Sequence, residues 1–178
     1  MNELKINFSN KRLFHLILPL IIEQFLAITV GLADSIMVAS VGEAAVSAVS
    51  LVDSINTLVF YGFAALATGG AVVCGQYIGC RDLKKANDSG EQLLVFIVLL
   101  AAGLTAVLYL TKYFILHGLF GNIDQDVMNH ANTYFIIVEA SIPFIALYNA
   151  GAALFRVMGN SSVSMRISIG MNIINVGG

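Results

Sequence analysis

The sequence predicts an all-α integral membrane protein, and three observations support that class. Charged residues make up 11% of the 178-residue chain and hydrophobic residues 58%, with a mean hydropathy of +0.85. An ordinary soluble domain has about 25% charged residues, so this chain has too few charges to cover a surface exposed to water. Its apolar residues also form continuous runs that are far longer than the alternating segments of about 10 residues found in membrane β-barrels. Helices are therefore the predicted spanning elements.

The long apolar runs predict four complete membrane-spanning helices and the start of a fifth. The clearest run is QLLVFIVLLAAGLTAVLYLT, between Glu91 and Lys112, because about 20 apolar residues suffice to cross the hydrocarbon core. After an amino-terminal segment of residues 1–12, the predicted helices cover residues 13–39, 46–78, 92–116, 131–158 and 163–178. Since the last run is still apolar at Gly178, we expect the chain to be a fragment of a longer protein.

The lysine and arginine residues predict the orientation of these helices. Their counts in the successive flanking segments run three, none, three, one and two. Positively charged flanks remain preferentially on the cytoplasmic side. The alternation therefore predicts a multi-pass protein in contact with membrane lipids, with its amino terminus in the cytoplasm.

Several kinds of site found in other proteins are not predicted here. The nine lysine and arginine residues form no basic face, so we expect no nucleic-acid partner. His15, His117 and His130 fall on different segments without the spacing of metal ligands. Cys74 and Cys80 are expected to be inert thiols. No serine elbow or His-Glu helix motif occurs, so the sequence does not predict an enzyme.

Four acidic residues lie inside the predicted spans: Glu23, Asp34, Asp53 and Glu139. A charged side chain in a bilayer costs about 2.5–3.5 kcal/mol on insertion scales, so each acid should face a cavity or a partner. None of the predicted spans offers a buried lysine or arginine, which predicts a cavity that takes up cations or protons. A structural hydrogen-bonding role remains an open alternative, most of all for Glu139.

Helical geometry places two of these acids on one side of the first helix. Glu23 and Asp34 are eleven residues apart, so they point within about 20° of each other and lie about 16 Å apart along the axis. On the second helix, Asp53, Asn56 and Thr57 share a face at a depth similar to that of Asp34. For Asp53, a position in the interfacial region remains an open alternative.

The stretch ATGGAVVCGQYIG predicts close helix packing. It lacks the lysine of a phosphate-binding loop and lies inside an apolar helix. Gly75 and Gly79 form a small-xxx-small pair, a pattern that lets another helix approach closely.

Three stretches resemble the amino-terminal half of bacterial multidrug and toxic compound extrusion (MATE) transporters. They are LPLIIEQFLAITVGLADSIMVASVGEAAVSAVS, ALATGGAVVCGQYIGCRDLKKAN and ALYNAGAALFRVMGNSSVSM, and the resemblance covers nearly the whole chain. It implies twelve helices in two six-helix lobes, with a substrate cavity between the lobes. It also implies a location in the bacterial inner (plasma) membrane.

The resemblance implies a secondary active antiporter that exports cationic amphipathic drugs or toxins in exchange for protons or sodium ions. In the family pattern the acid of ADSIM, here Asp34, is the coupling carboxylate, and Asn175 is the best match for its polar neighbour on the fifth helix. Glu23, Asp53 and Asn56 are expected to line the substrate cavity. The expected partners are small cationic organic substrates and a missing carboxy-terminal lobe, with a proton or Na⁺ as coupling ion and no other cofactor. The fragment alone is expected to be inactive.

Two other functions remain open. A flippase of the same superfamily would move lipid-linked saccharides, whose negative charge requires a cation-rich cavity. The absence of a lysine or arginine in the middle of any predicted span argues against that function. A non-transporting membrane scaffold is the other alternative, and four unpaired acids within the spans argue weakly against it.

Overall fold

The computed structural model describes residues 10–121 and 123–177, and the regular elements within them are all helices. They are α1 (Asn10–Val41), α2 (Glu43–Gly79), α3 (Leu83–Phe114), α4 (Gln125–Val157) and α5 (Ser161–Gly177), with a short π-helical segment (Ile115–Leu119) extending α3. The first four helices are long and apolar enough to cross a membrane. The predicted all-α membrane fold is confirmed. Of the predicted amino-terminal segment, residues 1–9 lie outside the described residues.

All five α-helices begin earlier than the apolar runs predicted, and α3 and α4 do so by six or more residues. α3 begins at Leu83 because Asp82 caps it, accepting a hydrogen bond of 3.1 Å from the backbone N–H of Lys85. Such a cap satisfies one of the free N–H groups at a helix start. The same hydrogen bond, together with the Lys85 ammonium, lowers the pKa of Asp82. α4 begins at Gln125, six residues before the predicted start, and its first two residues, Gln125 and Asp126, are polar and exposed.

α2, α3 and α4 form the packed core of the bundle. α2 packs against α4 more extensively than any other pair of helices, and α3 packs against both. α2 and α4 run parallel, since Asp53 contacts Tyr134 near one end and Gly75 approaches Val157 near the other. Small side chains allow this close approach. The buried apolar residues of this three-helix core include Ala48, Val52, Phe63, Ala67, Ala71, Ile97, Ala101, Phe135, Ile142 and Ala146.

The two glycines predicted to form a packing pair have different surroundings. Gly75 faces α4, where an added Cβ would lie 2.9 Å from Cγ1 of Val157. Gly79 has open space at the same position, so the predicted small-xxx-small pair is wrong for Gly79. Gly70 makes an even closer approach, since an added Cβ would overlap the side chain of Leu93 on α3. Glycines of α2 therefore serve its contacts with both α3 and α4.

α1 and α5 form a second pair beside this core. α1 packs chiefly against α5 and more lightly against α2. The two helices run parallel, because consecutive helices alternate in direction. The Ser164 hydroxyl donates a hydrogen bond of 3.0 Å to Glu23, which fixes the relative depth of the helices. Asp34 and Asn175 each lie eleven residues further on, so they occupy the same level.

The connections that follow α2 and α4 use the same backbone turn. In each, an N–H just past the helix bonds to the carbonyl five residues earlier, at 3.0 Å after α2 and 2.9 Å after α4. The residue before that N–H is left-handed: Arg81 has φ 60° and Gly159 has φ 80°. Glycine adopts this conformation freely, whereas a residue with a Cβ does so at a steric cost. We call this end of the bundle, which carries Arg81, Lys84 and Lys85, the basic end.

Candidate functional site

Two of the predicted carboxylates meet in one cavity, far from the basic end. Asp34 of α1 and Asp53 of α2 line a space of about 450 Å³ together with Tyr134 of α4. The remainder of the lining is small or apolar, and we call this space the acidic cavity. Its other lining residues are Gly31, Ser35, Met37, Val38, Val46, Val49 and Ser50.

The two acids of the acidic cavity differ in their partners. The Tyr134 hydroxyl donates a hydrogen bond of 2.9 Å to Oδ1 of Asp53. Asp34 receives neither a hydrogen bond nor an ion pair from the side chains that the structure describes, and its own side chain is exposed. The lining contains no lysine, arginine or histidine. Asp34 is therefore the carboxylate available to bind a cation or a proton.

A second cavity, of about 620 Å³, lies between α1, α4 and α5, nearer the basic end. It contains one acid, Glu23, and one base, Arg156, so we call it the mixed-charge cavity. Four amide side chains also line it: Gln24, Asn149, Asn172 and Asn175. This cavity offers amide and guanidinium groups, whereas the charged side chains of the acidic cavity are both carboxylates.

Glu23 forms an ion pair and accepts two further hydrogen bonds in the mixed-charge cavity. Its Oε1 accepts hydrogen bonds of 2.9 Å from Nη2 of Arg156 and 2.9 Å from the Tyr148 hydroxyl, and its Oε2 accepts one of 3.0 Å from Ser164. The expectation that the intramembrane acids have no cationic partner is wrong for Glu23. Arg156 lies in the last turn of α4, and its long side chain carries the charge away from its backbone position.

Asn56 and Glu139 line neither of these cavities. Asn56 is 1% exposed and Glu139 is 0% exposed, both within the three-helix core. The expectation that Asn56 lines the substrate cavity is therefore wrong. Asp53 and Thr57 remain exposed, but Asn56 lies on the buried stripe of α2. The carboxyl oxygens of Glu139 have no hydrogen-bond partner in the part of the chain that the structure describes, so a structural hydrogen-bonding role for Glu139 stays a prediction.

Asn175 lines the mixed-charge cavity. It lies level with Asp34 but is not among the residues that line the acidic cavity. The structure therefore brings Asp34 together with Asp53. Glu23 and Asn175 line the same cavity, but at levels that differ by about 16 Å along the helix axes. A joint coupling role for Asp34 and Asn175 remains a prediction.

Tyr134 and Tyr148 are functional candidates that the sequence reasoning missed. Tyrosine in an apolar helix is compatible with many positions, including the lipid interface, so neither residue stood out by type. Their spacing could have identified them. Fourteen residues correspond to nearly four helical turns, so both hydroxyls lie on the face of α4 that is turned toward the acids of α1 and α2.

Comparison with known proteins agrees with this architecture. The MatE family model matches residues 19–177. The uncharacterized transporter YisQ of Bacillus subtilis is 29% identical over 167 residues, which cover 93% of this chain and 36% of YisQ. The fold also matches a MOP superfamily transporter from Pyrococcus furiosus, for which a reversed polarity of the binding pocket suggests a different function. That match has a TM-score of 0.84 and 22% identity, and covers 92% of this chain and 36% of the other.

The chain thus spans 36% of the length of each of these two relatives. The family match itself extends over nearly all of the chain, from within α1 to the last described residue of α5. The protein therefore belongs to the MatE family and is a multi-pass membrane protein.

Proposed function

We propose that this chain forms the amino-terminal lobe of a two-lobe, twelve-helix antiporter in a bacterial inner membrane, with a cytoplasmic amino terminus. The observation that carries the proposal is Asp34, a carboxylate that has no partner among the described side chains and lies in a cavity whose described lining has no cationic residue. Ionisable residues within membrane spans commonly face water-filled pathways and mark routes for ions or protons. Asp34 is the coupling carboxylate in this proposal.

Ion binding at Asp34 changes the free energy of closing the acidic cavity. The ionised carboxylate is costly to remove from water, and its charge is repelled by that of Asp53 in the same cavity. A proton or Na⁺ bound at Asp34 removes both costs, so the ion-bound lobe closes more readily. Release of the ion on the other side of the membrane favours reopening of the cavity. An ion gradient can thereby bias a cavity between two shapes, as alternating access requires.

The proposed substrates are cationic amphipathic compounds. Asp34 and Asp53 supply negative charge, while Met37, Val38 and Val46 supply an apolar wall against which an organic cation can pack. The substrate and the coupling ion then compete for the same carboxylates. Such competition makes the loading of one depend on the release of the other, which is the condition for exchange.

An efflux assay tests this function. Vesicles that contain the complete two-lobe protein are loaded with a cationic dye, and a proton or sodium gradient is imposed. We expect dye movement that depends on at least one of these gradients and stops when that gradient collapses. Absence of dye movement under both gradients, from protein that is folded by thermal-unfolding criteria, would contradict the proposal.

One observation favours a second function, a flippase for lipid-linked saccharides. Arg156 lines the mixed-charge cavity with a side chain that is 39% exposed. The sequence excluded only a lysine or arginine in the middle of a span, whereas Arg156 reaches this cavity from the last turn of α4. One Nη of Arg156 bonds Glu23, and the remaining guanidinium donors suit a phosphate group. Translocation of a fluorescent lipid-linked saccharide without dye efflux would favour the flippase, and a membrane scaffold would move neither compound.

A further inference from the structure

Two buried polar side chains in the three-helix core have no hydrogen-bond partner. They are Glu139 of α4 and Asn56 of α2. Neither carboxyl oxygen of Glu139 has a partner, and neither does the amide nitrogen or oxygen of Asn56. These are the unsatisfied buried side-chain atoms within residues 10–121 and 123–177. Each unpaired buried group costs about 1–3 kcal/mol, so two of them in one small core need an explanation.

The packing of α2 on α4 brings the two side chains to similar depths. The hydrogen bond between Asp53 and Tyr134 fixes the register of these parallel helices. Asn56 lies three residues beyond Asp53, and Glu139 lies five residues beyond Tyr134. At about 1.5 Å per residue, their levels differ by about 3 Å. That difference is within the reach of a carboxyl and an amide side chain.

Both residues also lie on the buried faces of their helices. Asn56 belongs to the buried stripe of α2, and Glu139 belongs to that of α4. α2 packs most extensively against α4, and α3 packs against both, so both buried stripes face the inside of the three-helix core. The buried residues that bracket the pair are Val52 and Phe63 on α2, and Phe135 and Ile142 on α4.

Among the side chains that the structure describes, no cation compensates a negative charge on Glu139. The ion pairs of the described side chains join Lys85 to Asp82 and Arg156 to Glu23, and neither pair includes Glu139. A charged carboxylate buried without a partner is far more costly than its neutral, protonated form. The apolar surroundings of Glu139 therefore favour the form that carries a proton.

The other titratable groups near this level are acids and tyrosines. The lysine, arginine and histidine residues of the surrounding helices lie toward the ends of the bundle, whereas Glu139 is near the middle of α4. The groups contributed by the packed helices are Glu23 and Asp34 from α1, Asp53 from α2, Tyr109 from α3, and Tyr134 and Tyr148 on α4 itself. None of these can supply a positive charge.

We propose that Glu139 binds a proton and that its neutral carboxyl group hydrogen-bonds to the amide of Asn56, forming a proton site in the core of the lobe. A protonated carboxyl group has one O–H donor and a carbonyl acceptor, and an amide likewise donates and accepts. Rotation of the two side chains within the interface allows a reciprocal pair, with O–H donating to the amide oxygen and N–H donating to the carbonyl.

A proton fits this site better than a metal ion. Glu139 and Asn56 offer three oxygen atoms, whereas hard cations such as Ca²⁺ and Mg²⁺ take about six or more. In the part of the chain that the structure describes, no cluster of three or more His, Cys, Asp or Glu residues could hold a metal. The site lies outside the acidic cavity, and the proposal does not depend on the substrate or on the direction of transport.

Infrared spectroscopy of the complete protein tests the proposal directly. A protonated carboxyl group gives a carbonyl band that is separate from the bands of an ionised carboxylate and that shifts in heavy water. We expect such a band at neutral pH, lost in Glu139→Gln and retained in Asp34→Asn. Carbon-13 labelling of glutamate carboxyl groups should shift the band in the unaltered protein, so the result does not depend on the folding of a variant.

The pairing with Asn56 has its own readout. Asn56→Leu should retain the protonated acid but move its carbonyl band to higher frequency, because a hydrogen bond to the carbonyl is lost. An unchanged band in folded Asn56→Leu would overturn the pairing. Absence of a glutamate-dependent band in the unaltered protein would overturn the proton site. Loss of that band when Na⁺ replaces choline in the buffer would show that a metal ion displaces the proton, and would overturn the preference for a proton.

Discussion

The Arg156 guanidinium and the Glu23 carboxylate, 133 residues apart in sequence, lie 2.9 Å from each other and tie α4 to α1. Ser164 adds α5 to the same carboxylate. Glu23 is therefore the point at which three helices are joined. This matters for α1, because its other contacts are chiefly with α5.

Removing the arginine should destabilise the lobe. Arg156→Met keeps much of the aliphatic stem but leaves a mostly buried carboxylate with two hydroxyl donors. We expect a loss of about 1–2 kcal/mol in the free energy of unfolding. This is the lower part of the cost of leaving a buried charged group unpaired, because the guanidinium is more than a third exposed. Denaturant unfolding in detergent measures this loss. The matched control is Lys85→Met, which breaks an exposed ion pair and should have no measurable effect.

The double variant Glu23→Gln and Arg156→Met, compared with the two single variants, distinguishes the energy of the ion pair from the packing contribution of each side chain. If the pair is coupled, the double variant loses less stability than the two single variants together. Additive losses would show that the two side chains contribute independently and would contradict the role assigned to Glu23.

Asp34→Asn should abolish transport driven by an ion gradient while preserving the fold. The amide keeps the shape of the side chain, removes the titratable charge and costs less to bury than a carboxylate. Dye efflux from vesicles with an imposed gradient, measured beside the amount of folded protein, gives the result. Glu43→Gln, which neutralises an exposed acid in the first turn of α2, should retain efflux. Unaltered efflux by folded Asp34→Asn would falsify the coupling role.

Gly75→Leu should destabilise the packing of α2 on α4. Even an added Cβ would lie 2.9 Å from Val157, so a larger side chain forces the helices apart. Overpacking of this kind costs about 1–3 kcal/mol. Thermal unfolding and the yield of folded protein measure the effect. Gly79→Leu is the matched control one turn away, because a side chain there has open space. Leucine has a better helix propensity than glycine, so a loss in Gly75→Leu alone reports packing, and equal losses in both variants would contradict the close approach at Gly75.

Arg81→Gly should stabilise the turn between α2 and α3. Arg81 has φ 60°, a conformation that costs a residue with a Cβ about 1–2 kcal/mol. Gly159 occupies the equivalent position after α4 with φ 80°, so Gly159→Ala should have the opposite effect on thermal stability. A decrease in stability for Arg81→Gly would show that the arginine side chain contributes more than the strain costs.

The predicted orientation can be tested by cysteine labelling in intact cells. The exposed native thiol is first removed with Cys80→Ser, while Cys74 is buried. Asp124→Cys should then react with a membrane-impermeant reagent added outside. Asp88→Cys should react only after the cells are made permeable. The reverse pattern would place the amino terminus outside the cytoplasm.

The helices and their order could be predicted from the sequence because the bilayer leaves few alternatives. A run of about 20 apolar residues has to be helical in hydrocarbon, where every backbone group must be satisfied within the chain. The similar depth of Asp34 and Asp53 followed from the fixed rise per residue. Both kinds of inference depend on geometry along a single helix.

The contacts between helices could not be predicted in the same way. Asn56 was assigned to the same helix face as Asp53 because the two residues lie three positions apart. Residues at that spacing point in directions that differ by about 60°, so one can face a cavity while the other faces the core. Only the packing of α4 decides which of the two residues is buried. The partnership of Glu23 with Arg156 depends on the same packing and on the reach of a long side chain, neither of which is encoded in local spacing.

The distance in sequence between Glu23 and Arg156 also has a consequence for biosynthesis. Glu23 enters the membrane with the first helix, but the ribosome adds its partner 133 residues later. At about 5–20 residues per second, the delay is on the order of ten seconds. During that interval the insertion cost of the acid has to be offset by the apolar residues of α1 alone. Emergence of the end of α4 then supplies the arginine, so the first helix to be synthesised is among the last to be fixed in place.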